Sequence, residues 1–285
     1  MGSRAQGLSY GPARMHRNRL AVLVDGGFFL KRLRHQFPDV DSTDPKAVAR
    51  LIHAHAIRHR NQKTGRDEAG KHLFESFDLY RIFFYDCEPF SKKMHYPVSK
   101  KSVDFAKTDQ ATFRNQVHDE LRKKRKVALR MGHLLDTSSW RLKSAALAKG
   151  VRESRSFGEL SDDDFELDTI QKGVDMRLGL DVAALAYKKL VDQIVLIVGD
   201  SDFVPAAKLA RREGIDVILD PLGQSVHAHL HEHTDGVRTP PSPVYKAKKA
   251  ATHKADTALV TPVEPEPVRI ADDDDEAESM CDEAS

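Results

Sequence analysis

Two stretches of this sequence are apolar without alternation and stop at an acid: residues 19–25, RLAVLVD, and 194–200, IVLIVGD. A strand buried on one face alternates apolar with polar, whereas an unbroken apolar run is buried on both faces. Residues 77–85, FDLYRIFFY, ending in Asp86, and 215–219, IDVIL, read the same way. Helical segments lie between these runs. Phe28, Phe29 and Leu30 lead into a short helix. Asp44 caps and Pro45 opens a better one, with Val48, Leu51, Ile52 and His55 on one face. Thr108 caps a third, striped by Phe113, Val117 and Leu121. A fourth opens at 171–175 and runs to about Lys189, a fifth spans 204–213 and stops at Gly214, and a last covers about 225–233. Strands alternating with helices predict an α/β domain, a mostly parallel, Rossmann-like sheet flanked by helices.

The remaining segments read less regularly. Residues 61–71 form a polar loop with two glycines, 127–135 and 139–143 a strand pair, and 145–164 a long polar loop. From Gly236 the composition turns to Pro, Ala and Lys, then to the acidic run DDDDE at 272–276. The expected organisation is a flexible segment 1–18, one domain over 19–235, and a disordered acidic tail over 236–285. The net charge of +2 hides an asymmetry: residues 236–285 hold 6 Lys/Arg against 11 Asp/Glu, leaving 39 against 32 in residues 1–235. A basic body suits a polyanionic partner. Two distant cysteines, Cys87 and Cys281, argue against a disulfide framework and for a reducing, cytoplasmic setting. Cys87 reads as a small buried apolar residue. No apolar run reaches the ~20 residues of a membrane span. The oligomeric state stays open.

In a sheet of this type the functional crevice lies beyond the carboxyl ends of the strands. Asp25 ends the first strand, Asp200 and Asp202 follow the 194–198 run, and Asp175 stands at a helix start in the loop that returns to the sheet. Taken singly, Asp25, Asp200 and Asp202 read as helix caps. Taken together, four carboxylates on one rim repel one another and recruit cations. Hard divalent ions, Mg²⁺ or Mn²⁺, take such oxygen ligands, and a pair of them ~4 Å apart suits phosphodiester hydrolysis.

The segments VDGGFF (24–29), QKGVDMRLGLD (171–181) and IVLIVGDSDFVPAAKLARREG (194–214) resemble the NYN domain family, in its LabA-like branch, within the PIN-like nucleases. The resemblance covers roughly 19–235. It implies a metal-dependent ribonuclease, with Asp25, Asp175, Asp200 and Asp202 as ligands of Mg²⁺ or Mn²⁺. An activated water would attack phosphorus without a covalent enzyme intermediate, and the substrate would be single-stranded RNA or a structured transcript. Asp181 matches a recurrent acid of the family, but about 600° around the helix from Asp175 it falls on another flank. It is expected beside the ligands, like Lys172, which would pair with Asp175 or act as an electrophile unless it is a solvated loop lysine, and Ser201, which would reach a phosphate or only its own turn. Two positions depart from the family pattern. Phe28 stands where an Asn is usual, and Val198 where Ser or Thr is frequent.

Arg122, Lys123, Lys124, Arg125, Lys126, Arg130, Arg211 and Arg212 are the candidates for gripping the RNA backbone. The 122–126 run equally suits the carboxyl end of a helix, where positive charge is favourable. Two other functions compete. Phe28 and Val198 motivate a module of the same fold that binds RNA or protein without turnover. Gly199-Asp200-Ser201, with a lysine upstream, motivates a phosphatase of the haloacid dehalogenase type. Such enzymes need a second acid two residues after the first, where this chain has Gly27. His227, His229, His231 and His233 are spaced i, i+4, but without cysteine partners they read as an exposed helix end, and His53, His55 and His59 show no better zinc pattern.

Overall fold

The computed structural model describes residues 18–153, 157–226 and 228–242. The first strand, β1, is Arg19–Asp25, followed by helices α1 (Gly26–Gln36) and α2 (Pro45–Arg58). A hairpin, β2 (Asn61–Arg66) and β3 (His72–Ser76), leads to β4 (Asp78–Cys87). A second small hairpin, β5 (Lys93–His95) and β6 (Ser102–Asp104), precedes α3 (Asp109–Arg122) and the long strand β7 (Val127–Leu142). Then come α4 (Ser144–Glu153), β8 (Phe165–Lys172), α5 (Val174–Tyr187), β9 (Gln193–Ile197) and α6 (Val204–Arg212). The order closes with β10 (Asp216–Leu219), α7 (Ala228–Glu232) and β11 (Gly236–Val237).

Seven strands form one sheet in the order β11-β10-β9-β1-β4-β7-β8. Six run parallel, and only the edge strand β8 is antiparallel, to β7. In β1 the alternation is between two buried faces. Ala21 and Leu23 join the core under α5 and α6, while Leu20, Val22 and Val24 join the one under α1, α2 and α3. Both faces exclude water, which is why the run carries no polar period. The caps follow the sequence: Asp44 accepts from the Lys46 N–H at 2.8 Å and Thr108 from the Ala111 N–H at 3.3 Å. Gly214, at φ +82°, lets the chain leave α6 in a left-handed turn.

Three expected loops or pairs take another form. The 61–71 segment is part of the β2–β3 hairpin. β2 is polar on both faces and almost wholly exposed, so it lacks the hydrophobic period that marks a strand. Residues 127–143 are not a strand pair but essentially the single strand β7, whose first half pairs with β4 and whose second half pairs with β8, about 30 residues downstream. Within 145–164 lies most of α4, a helix with few buried side chains. The last helix is shorter than expected. The chain also stays with the sheet beyond 235, since β11 pairs with β10. Of the expected flexible segment 1–18, residues 1–17, and of the expected tail 236–285, residues 243–285, lie outside the described residues. No described helix is long and apolar enough to cross a membrane.

Candidate metal and nucleic-acid site

The topology fixes where a crevice must open. From β1 the chain winds outward through β4 and β7 with α1–α3 on one face. It then returns through α5 on the other face to β9, on the opposite side of β1. The order therefore reverses between β1 and β9, and beyond the carboxyl ends of two such strands their connections diverge and leave a cleft. A cleft of about 770 Å³ lies there, and Asp25, Phe28, Lys31, Arg114, Asp200 and Ser201 are among its lining residues.

Each acid reaches this rim through its own local structure. Asp25, half-buried, ends β1 and caps α1, its Oδ1 accepting from the Phe28 N–H at 3.0 Å. Burial raises its carboxyl above the usual range. The Phe28 N–H pulls it back, and the charges of Asp175 and Asp86 push it up further. Asp200 is exposed after β9 and caps a short 3-10 turn over Ser201–Phe203, accepting from the Asp202 N–H at 3.2 Å. Asp202 lies inside that turn. Asp175 stands exposed in the first turn of α5. Its carboxyl is also raised, by partial desolvation first and then by Asp202 and Asp200. Asp175 thus lies within electrostatic reach of the other three across the rim. The four acids do not close into a ready ligand set, because among the described residues no three of them bring oxygen atoms within 4.8 Å of one another.

The structure adds a constellation absent from the sequence reading. Asp86, at the carboxyl end of β4, is 1 % exposed, and every lone-pair direction has a donor. Oδ1 accepts from the Cys87 N–H at 2.8 Å and from Arg114 Nη2. Oδ2 accepts from Arg114 Nε at 2.9 Å and His118 Nε2 at 2.8 Å. Burial works against its charge, but His118 and Arg114 more than offset this, and its carboxyl lies below the usual range. Asp86 is held as a neutralised carboxylate, not offered as a ligand. The signal was an acid ending an apolar strand, as at Asp25. Its neutralising partners sit 28 and 32 residues away, one turn apart on α3.

The other nominated residues are placed as follows. Asp181 does not join the rim acids: it accepts from Tyr85 Oη and Arg130 Nε, both at 2.8 Å, and Arg130 also lies over the Phe83 ring, 5.1 Å from its centroid. Burial and the nearby Asp181 push the Tyr85 phenol up. Lys172 is exposed at the end of β8, and no ion pair with Asp175 is found among the described residues. Ser201 Oγ lies 3.5 Å from Asp200 Oδ1. The basic run sits at the far edge of the sheet, because α3 runs back towards the amino ends before β7 starts. Arg122 pairs with Asp119 and Lys123 with Glu120, Lys126 Nζ caps the Leu79 carbonyl, and Lys124 and Arg125 lie between them in the chain. Arg211 and Arg212 end α6 at the same far edge, paired with Asp235 and Glu213.

Among the described residues, two histidine groups bring ligand atoms within 4.8 Å of one another. In the first, wholly buried, Asp220 Oδ2 accepts from His55 Nε2 at 2.6 Å and His59 Nε2 at 2.9 Å, and Oδ1 accepts from Thr239 Oγ1 at 2.6 Å. Arg238 Nη2, which can only donate, lies 3.1 Å from His59 Nδ1. The His59 proton is therefore on Nε2, pointing at Asp220. The ionised Asp220 requires the same of His55, whose buried Nδ1 has no hydrogen-bond partner among the described residues. Hydrogens occupy the positions a metal would need, so the group is a hydrogen-bonded clamp that ties residues 238–239 to α2. The second, His229, Glu232 and His233, is at the surface on and just after the five-residue α7; His227 lies outside the described residues.

Fold and rim together define a class: an α/β domain with carboxylates at the switch point of a parallel sheet. Residues 97–228 match the NYN domain family model, a PIN-like family whose members typically act as nucleases. No curated protein and no solved structure matches the chain. The match is narrower than the 19–235 span of the resembling motifs. It contains Asp175, Asp200 and Asp202, while Asp25 lies outside it and joins them because β1 pairs with β9.

Proposed function

We propose that this protein is a metal-dependent ribonuclease of the LabA-like NYN type, with one domain carrying its site in the cleft between β1 and β9. The observation that carries this reading is the shared rim. Asp25 and Asp200 line one cleft, and Asp175 is close enough to both Asp25 and Asp200 for their charges to be felt. The donor set fits Mg²⁺ or Mn²⁺, since all four candidates offer carboxylate oxygens and no soft ligand intrudes. Asp25 and Asp200 each commit Oδ1 to a backbone N–H, which leaves Oδ2 for an ion. When bound, such an ion makes water a better nucleophile and neutralises charge building on a phosphodiester. The chain's own contribution is to hold four acids on short local elements: Asp25 as a helix cap, Asp200 as a turn cap, Asp175 in a first helical turn and Asp202 within the 3-10 turn. The buried free thiol of Cys87 suits a reducing, cytoplasmic setting.

One observation favours a second reading, an RNA-binding module without turnover. The Phe28 ring lines the cleft where the family usually has a polar side chain, and the carboxylates stand apart. Cleavage of single-stranded RNA with Mn²⁺ separates the two. Wild-type protein should cut and Asp200→Ala should not, and equal activity in both would favour the binding module. Turnover of a small aryl phosphate with inert RNA would instead favour the phosphatase.

A further inference from the structure

We propose that the α3 wall of this cleft, centred on Arg114, is the subsite that holds a phosphate group of the RNA strand; this rests on the reading of the cleft as the RNA site. A cleft whose one side is Asp25 and Asp200 repels a polyanion unless the other side carries compensating charge. The basic residues conspicuous in the sequence do not supply it. Those of the 122–126 run and Arg211-Arg212 lie at the opposite edge of the sheet, and Arg130 is not among the residues that line the cleft. The cations that do line the cleft are Arg114 and Lys31.

Arg114 is also built to stay in place. Its Nε and Nη2 are held edge-on by the buried Asp86, which His118 supports from the next turn of α3. A guanidinium gripped along one edge keeps its plane fixed and presents Nη1, the nitrogen these bonds do not use. That is the rigid donor geometry that suits a phosphate oxygen. Its side chain retains 21 % exposure, against 1 % for Asp86. Asp86 is thus a positioning residue acting through Arg114. Gln110, one turn earlier on α3, adds a donor on the same wall, and the rings of Phe28 and Phe113 also line the cleft, as flat apolar surfaces on which an unpaired base can stack.

The test measures binding apart from cutting. A single-stranded oligoribonucleotide is titrated in EDTA against full-length Asp200→Asn protein, with and without Arg114→Gln. Arg114→Gln should weaken binding about tenfold and lower the salt slope by about one. Lys31→Gln should weaken it less. Unchanged affinity and slope in Arg114→Gln, or no binding to the parent, overturns the inference. Should Arg114→Gln melt too low to assay, the double variant Asp86→Asn/Arg114→Gln removes the buried charge with its partner, and the same two outcomes decide. A parent that loses affinity on Arg114→Gln while the wild type fails to cleave RNA would sink the nuclease reading and leave this subsite standing.

Discussion

The ring of Phe28 lies on the bare Cα of Gly199: a Cβ built there would meet Phe28 Cε2 at 2.2 Å. The contact joins the turn that starts α1 to the loop that carries Asp200, and so sets the spacing of the two capping acids across the cleft. Gly199→Ala should displace the ring and lower stability by about 1–3 kcal/mol. Phe28→Ala added to Gly199→Ala should recover part of that loss, because the clash partner is gone. Denaturant midpoints of the two single variants and the double variant check this, and simple additivity would mean that the ring and the glycine do not meet.

Asp25→Asn and Asp200→Asn should each abolish RNA cleavage while leaving the melting temperature at or above that of the wild type. Asparagine can still cap, and it removes like charge from the rim. For Asp25 the sign with pH is fixed. Its folded-state carboxyl is raised, so ionisation costs stability as pH rises from ~4 through the higher folded value. The advantage of Asp25→Asn should therefore appear above that window and vanish in acid. A melt far below wild type at neutral pH would make the acid structural.

Mn²⁺ or Mg²⁺ should raise the melting temperature of the wild type by several degrees once it exceeds its dissociation constant about a hundredfold, an effect worth ~2.7 kcal/mol. Asp175→Asn and Asp200→Asn should blunt the shift. Differential scanning fluorimetry reads this without any substrate, and identical shifts in all three proteins would place the ion elsewhere.

The clamp around Asp220 should behave as a hydrogen-bonded network. In an Asp175→Asn/Asp200→Asn background, where the rim acids no longer hold an ion, chelators should leave the melt unchanged, whereas His59→Ala should cost about 3–5 kcal/mol by leaving a buried carboxylate short of a partner. Burial raises the Asp220 carboxyl, but the His55 and His59 hydrogen bonds outweigh it and hold it well below the usual range. Its contribution is therefore complete above pH ~4 and lost as pH falls towards the depressed folded value. A melt that drops with EDTA in that background would reveal a metal among these residues.

How much of this was legible in the chain depends on distance. β1 was readable to the residue because an unbroken apolar run carries its own signal, and the caps at Asp44 and Thr108 act over three residues. The polar hairpin β2–β3 carried no such signal, and the single strand β7 was split because the partner that defines its length lies downstream. At the site, Asp25, Asp175, Asp200 and Asp202 were nominated from strand ends and motifs. Asp86 was visible as a strand end, but its neutralisation by Arg114 and His118 was not, since nothing local marks a pairing 28 residues away.

The sequence by itself determined the types of the apolar and capped elements, the acids at their ends and the parallel class of the sheet, since periodicity and capping are written in neighbouring residues. Only the tertiary structure decided which cations face those acids. The direction of α3 sends the conspicuous 122–126 run to the far edge of the sheet and leaves Arg114 in the cleft. Helix direction relative to a strand follows from crossover and packing, which join residues far apart in the chain, so charge counted along the sequence does not locate charge around a site.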